Sequence, residues 1–224
     1  MDPHRASQSN LRRLRGTPVY RAPSQKRGQD RFQILLDVAV RALEEDPDAE
    51  MSIPELAAAA GVTTGSVYHF FPSMGAVYAA LIERFNAGLI ALYDEVATNR
   101  PDRALAEWDA LLRHIIEETA AYLNRHPAAL TLIGGSRLSG EILRADWEGD
   151  DAVAAALERV FSGSFVLPHD VNNARVLRMA SHACASVWSA AYLEQRTIGT
   201  EYTDDAYRLL HGYLASWWSD LPRR

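Results

Sequence analysis

The sequence predicts an all-α protein: an N-terminal three-helix head carrying a helix-turn-helix, followed by a larger C-terminal helical bundle. Three observations predict it. Apolar residues recur at i, i+3, i+4 and i+7 in segment after segment, and no alternating run of useful length argues for a strand. Two short helical segments flank a single glycine, Gly61, within residues 52–71. Longer helical segments follow, separated by Gly134-Gly135, Gly163 and Gly199.

Residues 1–24 are polar, contain Pro3, Pro18 and Pro23, and show little periodicity, so they read as a flexible arm. The net charge of −6 conceals a division. Residues 1–31 hold eight Arg or Lys against Asp2 and Asp30, a local +6, which leaves −12 for the remainder. Local sign, not net sign, sets attraction to phosphate. Arg12, Arg13, Arg15, Arg21, Lys26 and Arg27 are therefore candidate nucleic-acid contacts. A solubilising tail is the alternative reading of the arm.

Residues 25–45 predict the first helix, with Leu35, Val38, Ala39, Ala42 and Leu43 on its core face. The acidic run EEDPDAE (44–50), punctuated by Pro47, ends it. Phosphate repels such a run, so this loop is expected to face away from nucleic acid.

The stretch SIPELAAAAGVTTGSVYHFF (52–71) predicts the paired short helices. Ser52 and Glu55 have capping-box spacing, with Met51 and Leu56 as a flanking staple. Pro54 sits in the first turn, where a missing N–H costs little. Ile53, Leu56, Ala57 and Ala60 form one apolar stripe, and Gly61 supplies the positive φ that ends the helix. Thr63 N-caps the second helix, whose Val67, Phe70 and Phe71 face the core. The opposite face holds Gly65, Ser66, Tyr68 and His69: small or hydrogen-bonding groups with no solvating Lys or Glu. Such a face suits close approach to DNA, with hydroxyl and imidazole donors to phosphate. On spacing alone, a plain helical hairpin of a bundle core is the competing reading.

Ser73 caps a long helix over about 74–97, striped by Val77, Leu81, Ile82, Phe85 and Leu89. Further helices are expected over about 102–125, 127–134, 139–162, 171–197 and 203–219, and the SRLSGEILRADWEGDD stretch is the least regular.

The run LAAAAGVTTGSVYHFFPSMGAVYAAL resembles the DNA-binding signature of the TetR family of one-component bacterial transcription regulators, over roughly residues 27–80. That resemblance implies an arm at 1–24, a DNA-binding domain at 25–72, and an effector-binding and dimerisation domain at 73–224. It implies a homodimer on double-stranded operator DNA, with a small-molecule effector. Ser52, Thr63, Thr64, Gly65, Ser66, Tyr68 and His69 are the expected DNA contacts: Tyr68 and His69 on phosphates, Thr64 and Gly65 near base edges. Two departures remove positive charge from that face. Met74 stands where the family usually has a lysine, and Thr64 where many relatives carry Lys or Arg.

Nothing in the body suggests catalysis. His114, His126, His169, His182 and His211 are scattered, without an HExxH or similar pair, and no GxSxG or P-loop is present. No enzyme activity, metal or cofactor is expected. The single cysteine, Cys184, excludes an internal disulfide and reads as a packed small residue, which fits a reducing cytoplasm. No apolar run was expected to reach the length of a membrane span, and the N-terminus lacks the hydrophobic core of a secretory signal.

Every tryptophan lies outside the head, at 108, 147, 188, 217 and 218. A ligand cavity uses aromatic walls with a few polar groups. Trp108, Leu112, Ile115, Thr119 and Tyr122 form one stripe, faced by Met179, His182 and Trp188, and these are the expected effector pocket. The competing reading is an ordinary core with a satisfied histidine. The last two helices are the expected dimer interface, through Ala183, Ser186, Ala190, Leu210, Tyr213, Leu214 and Trp217. Two other functions fit the same sequence: an effector-independent DNA-binding protein with a dimerisation-only body, or a helical interaction module.

Overall fold

The computed structural model describes residues 20–99, 107–134, 140–218 and 221–224 (backbone alone for 140–148). Among those residues there are nine helices and no strand. The head comprises α1 (Lys26–Glu45), α2 (Ile53–Ala59) and α3 (Thr64–Tyr68). The body comprises α4 (Met74–Asn99), α5 (Trp108–Arg125), α6 (Pro127–Gly134), α7 (Gly140–Ser162), α8 (Asn173–Gln195) and α9 (Thr200–Ala215).

Local chemistry sets the head. The Ser52 hydroxyl accepts from Glu55 N–H, while the Glu55 carboxylate accepts from Ser52 N–H at 2.8 Å, which closes a capping box. Those bonds hold the Glu55 carboxyl below the usual carboxylate range. Gly61 has φ +66°, a left-handed conformation that side chains rarely adopt, and it turns the chain from α2 toward α3. Thr63 Oγ1 accepts from Ser66 N–H and caps α3. Leu35, Leu36, Leu56, Val67 and Phe71 are fully buried, and the Phe32 and Phe71 rings lie 4.8 Å apart.

Residues 20–24, expected within the flexible arm, are held against the head. Tyr20 packs its ring 5.6 Å from Phe32 and donates its hydroxyl to Glu83 of α4. Burial and the Glu83 carboxylate push that phenol up. Arg21 N–H donates to the Phe70 carbonyl at 2.8 Å. Residues 20–24 therefore belong to the head, because an aromatic anchor and a backbone bond hold them there. Arg12, Arg13 and Arg15 lie outside the described residues.

In the body, α4 packs most extensively on α7, α8 lies against α6, α7 and α9, and α5 joins α9. The N-terminal half of α4 also packs on α1, so one helix belongs to both head and body. α1 reaches α6, and Asp48 of the acidic loop pairs with Arg196 beyond α8 at 3.0 Å. The acidic loop thus faces the body. The C-terminal tail closes on 164–166 through an isolated antiparallel bridge between Phe165 and Arg223.

One expectation needs correcting. α4 is long and apolar enough to cross a membrane by length and composition. Its two interior charges are engaged, Arg84 with Asp37 at 2.6 Å and Glu83 with Tyr20, and Ala76 to Ile82 are buried in the protein core.

Candidate nucleic-acid interface and effector cavity

α3 presents two opposed faces. Val67 is fully buried, whereas Tyr68 is 53% exposed and His69, Thr63 and Gly65 are also exposed. A Cβ on Gly65 would meet nothing within 4 Å, so nothing inside the chain requires a glycine there. Its use is an open face on which another surface can approach the backbone closely. Thr64 and Ser66 are half-buried at the same end of the helix. Ser52 is less available than expected, because its hydroxyl also donates to Glu55 Oε2 at 2.7 Å. A phosphate there has to compete with the capping box.

Beside this face lies an open groove of about 540 Å³ lined by Arg21, Arg27, Arg31, His69 and Phe70. Docking of Tyr20 against Phe32 and Phe71 brings Arg21 to the end of α3, while Arg27 and Arg31 stand one turn apart on α1. Lys26 is exposed on the same turn but does not line the groove. Arg31 was missed as a contact by sequence reasoning, although the i, i+4 spacing from Arg27 places both on one helix face. Three guanidinium groups and an imidazole give this groove a strong preference for anions.

The body encloses a second feature, a mostly apolar cavity of about 180 Å³ walled by α4, α5, α6, α7, α8 and α9. Leu112, Ile115 and Thr119 of α5 line it, with His182 and Trp188 of α8. Three expected residues do not. Trp108 stacks on His211 at 5.2 Å and meets Trp218 edge-on, in a separate aromatic cluster between α5 and α9. Tyr122 turns to α4 and donates to the Phe85 carbonyl at 3.1 Å. Met179 is 43% exposed. The α5 stripe meets the cavity through Leu112, Ile115 and Thr119, while Trp108 and Tyr122 pack on neighbouring helices.

The polar wall was largely missed. Tyr93 of α4 pairs with Thr119 at 3.0 Å, and Asp150 of α7 stands 3.0 Å from His182 Nε2. Asn86 and Cys184 also line the cavity, and burial pushes the Cys184 thiol up to about 12, so it remains protonated. Tyr93 continues the α4 stripe four residues beyond Leu89, and that spacing was the available signal. Nothing in local sequence marks Asp150 as buried. Among the described residues, no group of three His, Cys, Asp or Glu side chains is placed to hold a metal.

Two residues of the expected dimer face on α9 are buried within the subunit. Leu210 and Leu214, at 5% and 1% exposure, cannot also meet a partner. Leu209 and Trp217 are the exposed apolar residues of that segment, with Tyr213 half-buried between them. On α8, Ala183, Ser186 and Ala190 fall on a stripe that ends in the exposed Met179 and Leu193.

Comparison with known proteins finds several to which this chain is similar. The profile described as "Bacterial regulatory proteins, tetR family" matches residues 35–81. The transcriptional regulator EthR of Mycolicibacterium smegmatis is 30% identical over 133 residues, which is 59% of this chain and 59% of EthR. The nucleoid occlusion factor SlmA of Actinobacillus pleuropneumoniae is 27% identical over 147 residues, covering 65% of this chain and 66% of SlmA. Each alignment thus spans less than two thirds of the relative's length. The fold resembles Thermus thermophilus FadR, described as a TetR-family transcriptional repressor in complex with lauroyl-CoA. That likeness has a TM-score of 0.60 at 19% identity, over 80% of this chain and 93% of that one.

Proposed function

We propose that the chain, whose residues 35–81 match the tetR family of bacterial regulatory proteins, is a sequence-specific DNA-binding transcription regulator. In this reading it is a repressor that a small, largely apolar effector releases from a palindromic operator. It acts in the cytoplasm as a homodimer and needs no catalysis. The observation that carries the reading is the sharing of α4. Its first turns pack with the head, and residues between Ile82 and Tyr93 wall the apolar cavity. A change of cavity contents therefore acts on the helix that bears the DNA-binding head.

The DNA contacts we assign are Thr63, Thr64, Gly65, Ser66, Tyr68 and His69, with Arg21, Arg27 and Arg31 on flanking phosphates. This groove offsets the charge missing at Thr64 and Met74. The dimer contacts we assign are Met179, Ala183, Ser186, Ala190 and Leu193 of α8 with Leu209, Tyr213 and Trp217. A two-fold dimer matches a two-fold operator.

Selection of bound duplexes from a random pool, followed by footprinting, tests the reading. It should yield one inverted repeat protected on both half-sites. Selection of no preferred sequence would contradict it. A second reading is an effector-independent DNA-binding protein. The likeness to SlmA, named for nucleoid occlusion and not for transcription, favours it. That reading predicts sequence-specific binding that no cavity change alters.

A further inference from the structure

We propose that the body cavity selects a compact ligand that donates hydrogen bonds and carries no negative charge. This rests on reading the cavity as the effector site. The direction of the hydrogen bonds in its wall carries the inference. Thr119 Oγ1 donates to the Ile115 carbonyl at 2.7 Å, one turn back along α5. A threonine hydroxyl has one hydrogen, so in its 3.0 Å contact with Tyr93 the tyrosine is the donor. Both hydroxyl hydrogens are spent within the protein, and both oxygens keep lone pairs. Ser181 repeats the pattern by donating to the Leu177 carbonyl at 3.0 Å. The Asn86 amide nitrogen is a donor left without a hydrogen-bond partner, but it is fully buried against α7, where a Cβ on Gly149 would stand 2.4 Å from it, and presents no surface to a ligand. A ligand in the cavity therefore meets acceptors.

Charge points the same way. Among the described residues, Asp150 supplies the one carboxyl and His182 the one imidazole of the wall, and they face each other at 3.0 Å. No Lys or Arg among the described residues lines the cavity. A carboxylate or phosphate entering here would be stripped of water beside Asp150 with no cation of its own, which is strongly unfavourable. Size sets a third limit. The cavity is about 180 Å³, and a cavity of about 150 Å³ takes benzene. One ring or a small bicycle with an N–H or O–H fits these terms.

Calorimetry on the full chain with three probes tests the class: indole, which carries an N–H; benzofuran, the same shape with an ether oxygen in its place; and benzoate. Indole should bind about tenfold more tightly than benzofuran, the difference between a made and a mismatched hydrogen bond. Benzoate should not bind. Equal or tighter binding of benzofuran or benzoate, or no binding of indole, would overturn the proposal without any variant. Thr119→Val gives a second test. It removes the acceptor of Tyr93 and frees that O–H as a donor to ligand, so the preference should swing toward benzofuran. A parallel loss of both ligands would mark Thr119 as structural only and overturn the assignment of the Tyr93–Thr119 pair. Adding indole to the complex with the selected duplex separates the two readings. Indole binding that leaves DNA affinity unchanged would sink the effector role, while the donor class stands.

Discussion

Tyr68 lies one residue from the fully buried Val67 and two from the buried Phe70, so its exposed phenol is held outward by the core behind it. Tyr68→Phe should weaken binding to all duplexes about equally, because it removes a phosphate donor and no base contact. Thr64→Ala should instead lower discrimination between operator and scrambled DNA by about 1–3 kcal/mol. Titration of both duplexes with both variants checks this, and unchanged affinities would remove the assignment of α3 as the recognition helix. Arg27→Ala and Arg31→Ala should each reduce the slope of log affinity against log salt by about 0.9, if each side chain neutralises one phosphate. At this scale much of the head was legible in the sequence. The Ser52–Glu55 box, the Gly61 turn and the Thr63 cap are local chemistry, with every partner within four residues. The groove was only half legible. The placement of Arg21 depends on Tyr20 finding Phe32 and Phe71, and packing over 12 and 51 residues of chain leaves no local pattern.

Two glycines in helices show how close approach, and not flexibility, fixes the body. A Cβ on Gly134 at the end of α6 would stand 2.5 Å from Tyr192 Cβ, an atom at the root of a buried side chain on α8. Gly134→Ala should therefore destabilise the protein by about 1–3 kcal/mol, as overpacking does. A Cβ on Gly88 would stand 2.2 Å from the Tyr122 hydroxyl, the mobile tip of a half-buried ring. Gly88→Ala should cost only the bond from Tyr122 to the Phe85 carbonyl, about 1 kcal/mol, and the gain in helix propensity of about 1 kcal/mol offsets it. Urea denaturation of both variants gives the order, and a larger loss at Gly88 would contradict it. The proposed dimer contacts belong to the same scale. Leu209→Glu and Leu193→Glu should give folded monomers by sedimentation, whereas Leu214→Glu should unfold the subunit, because Leu214 is buried within it. Folded monomers from Leu214→Glu would restore the face first expected from the sequence. Periodicity identified α9 as amphipathic but not which apolar edge faces outward. Leu209 and Leu210 are adjacent, and only the packing of α9 on α5 and α8 decides between them.

Across the whole molecule the head and body share α4, and secondary contacts join α1 to α6 and Asp48 to Arg196. That last pair is exposed on both sides and contributes little to stability. The proposed coupling therefore rests on packed helices, which have discrete arrangements and do not deform continuously. The cavity was the least legible part of the chain. Its wall draws residues from six helices, and the five-residue stripe on α5 taken alone predicted an aromatic pocket at Trp108 where the protein has a filled cluster. The central claim, that cavity contents govern DNA affinity, is tested without knowing the effector by filling the cavity from within. Cys184→Phe places a ring where the buried thiol lines the wall. Fluorescence anisotropy with the selected operator should show affinity at least tenfold weaker than wild type, with dimer state and thermal unfolding preserved. Unchanged or tighter operator binding by that folded dimer would contradict the account.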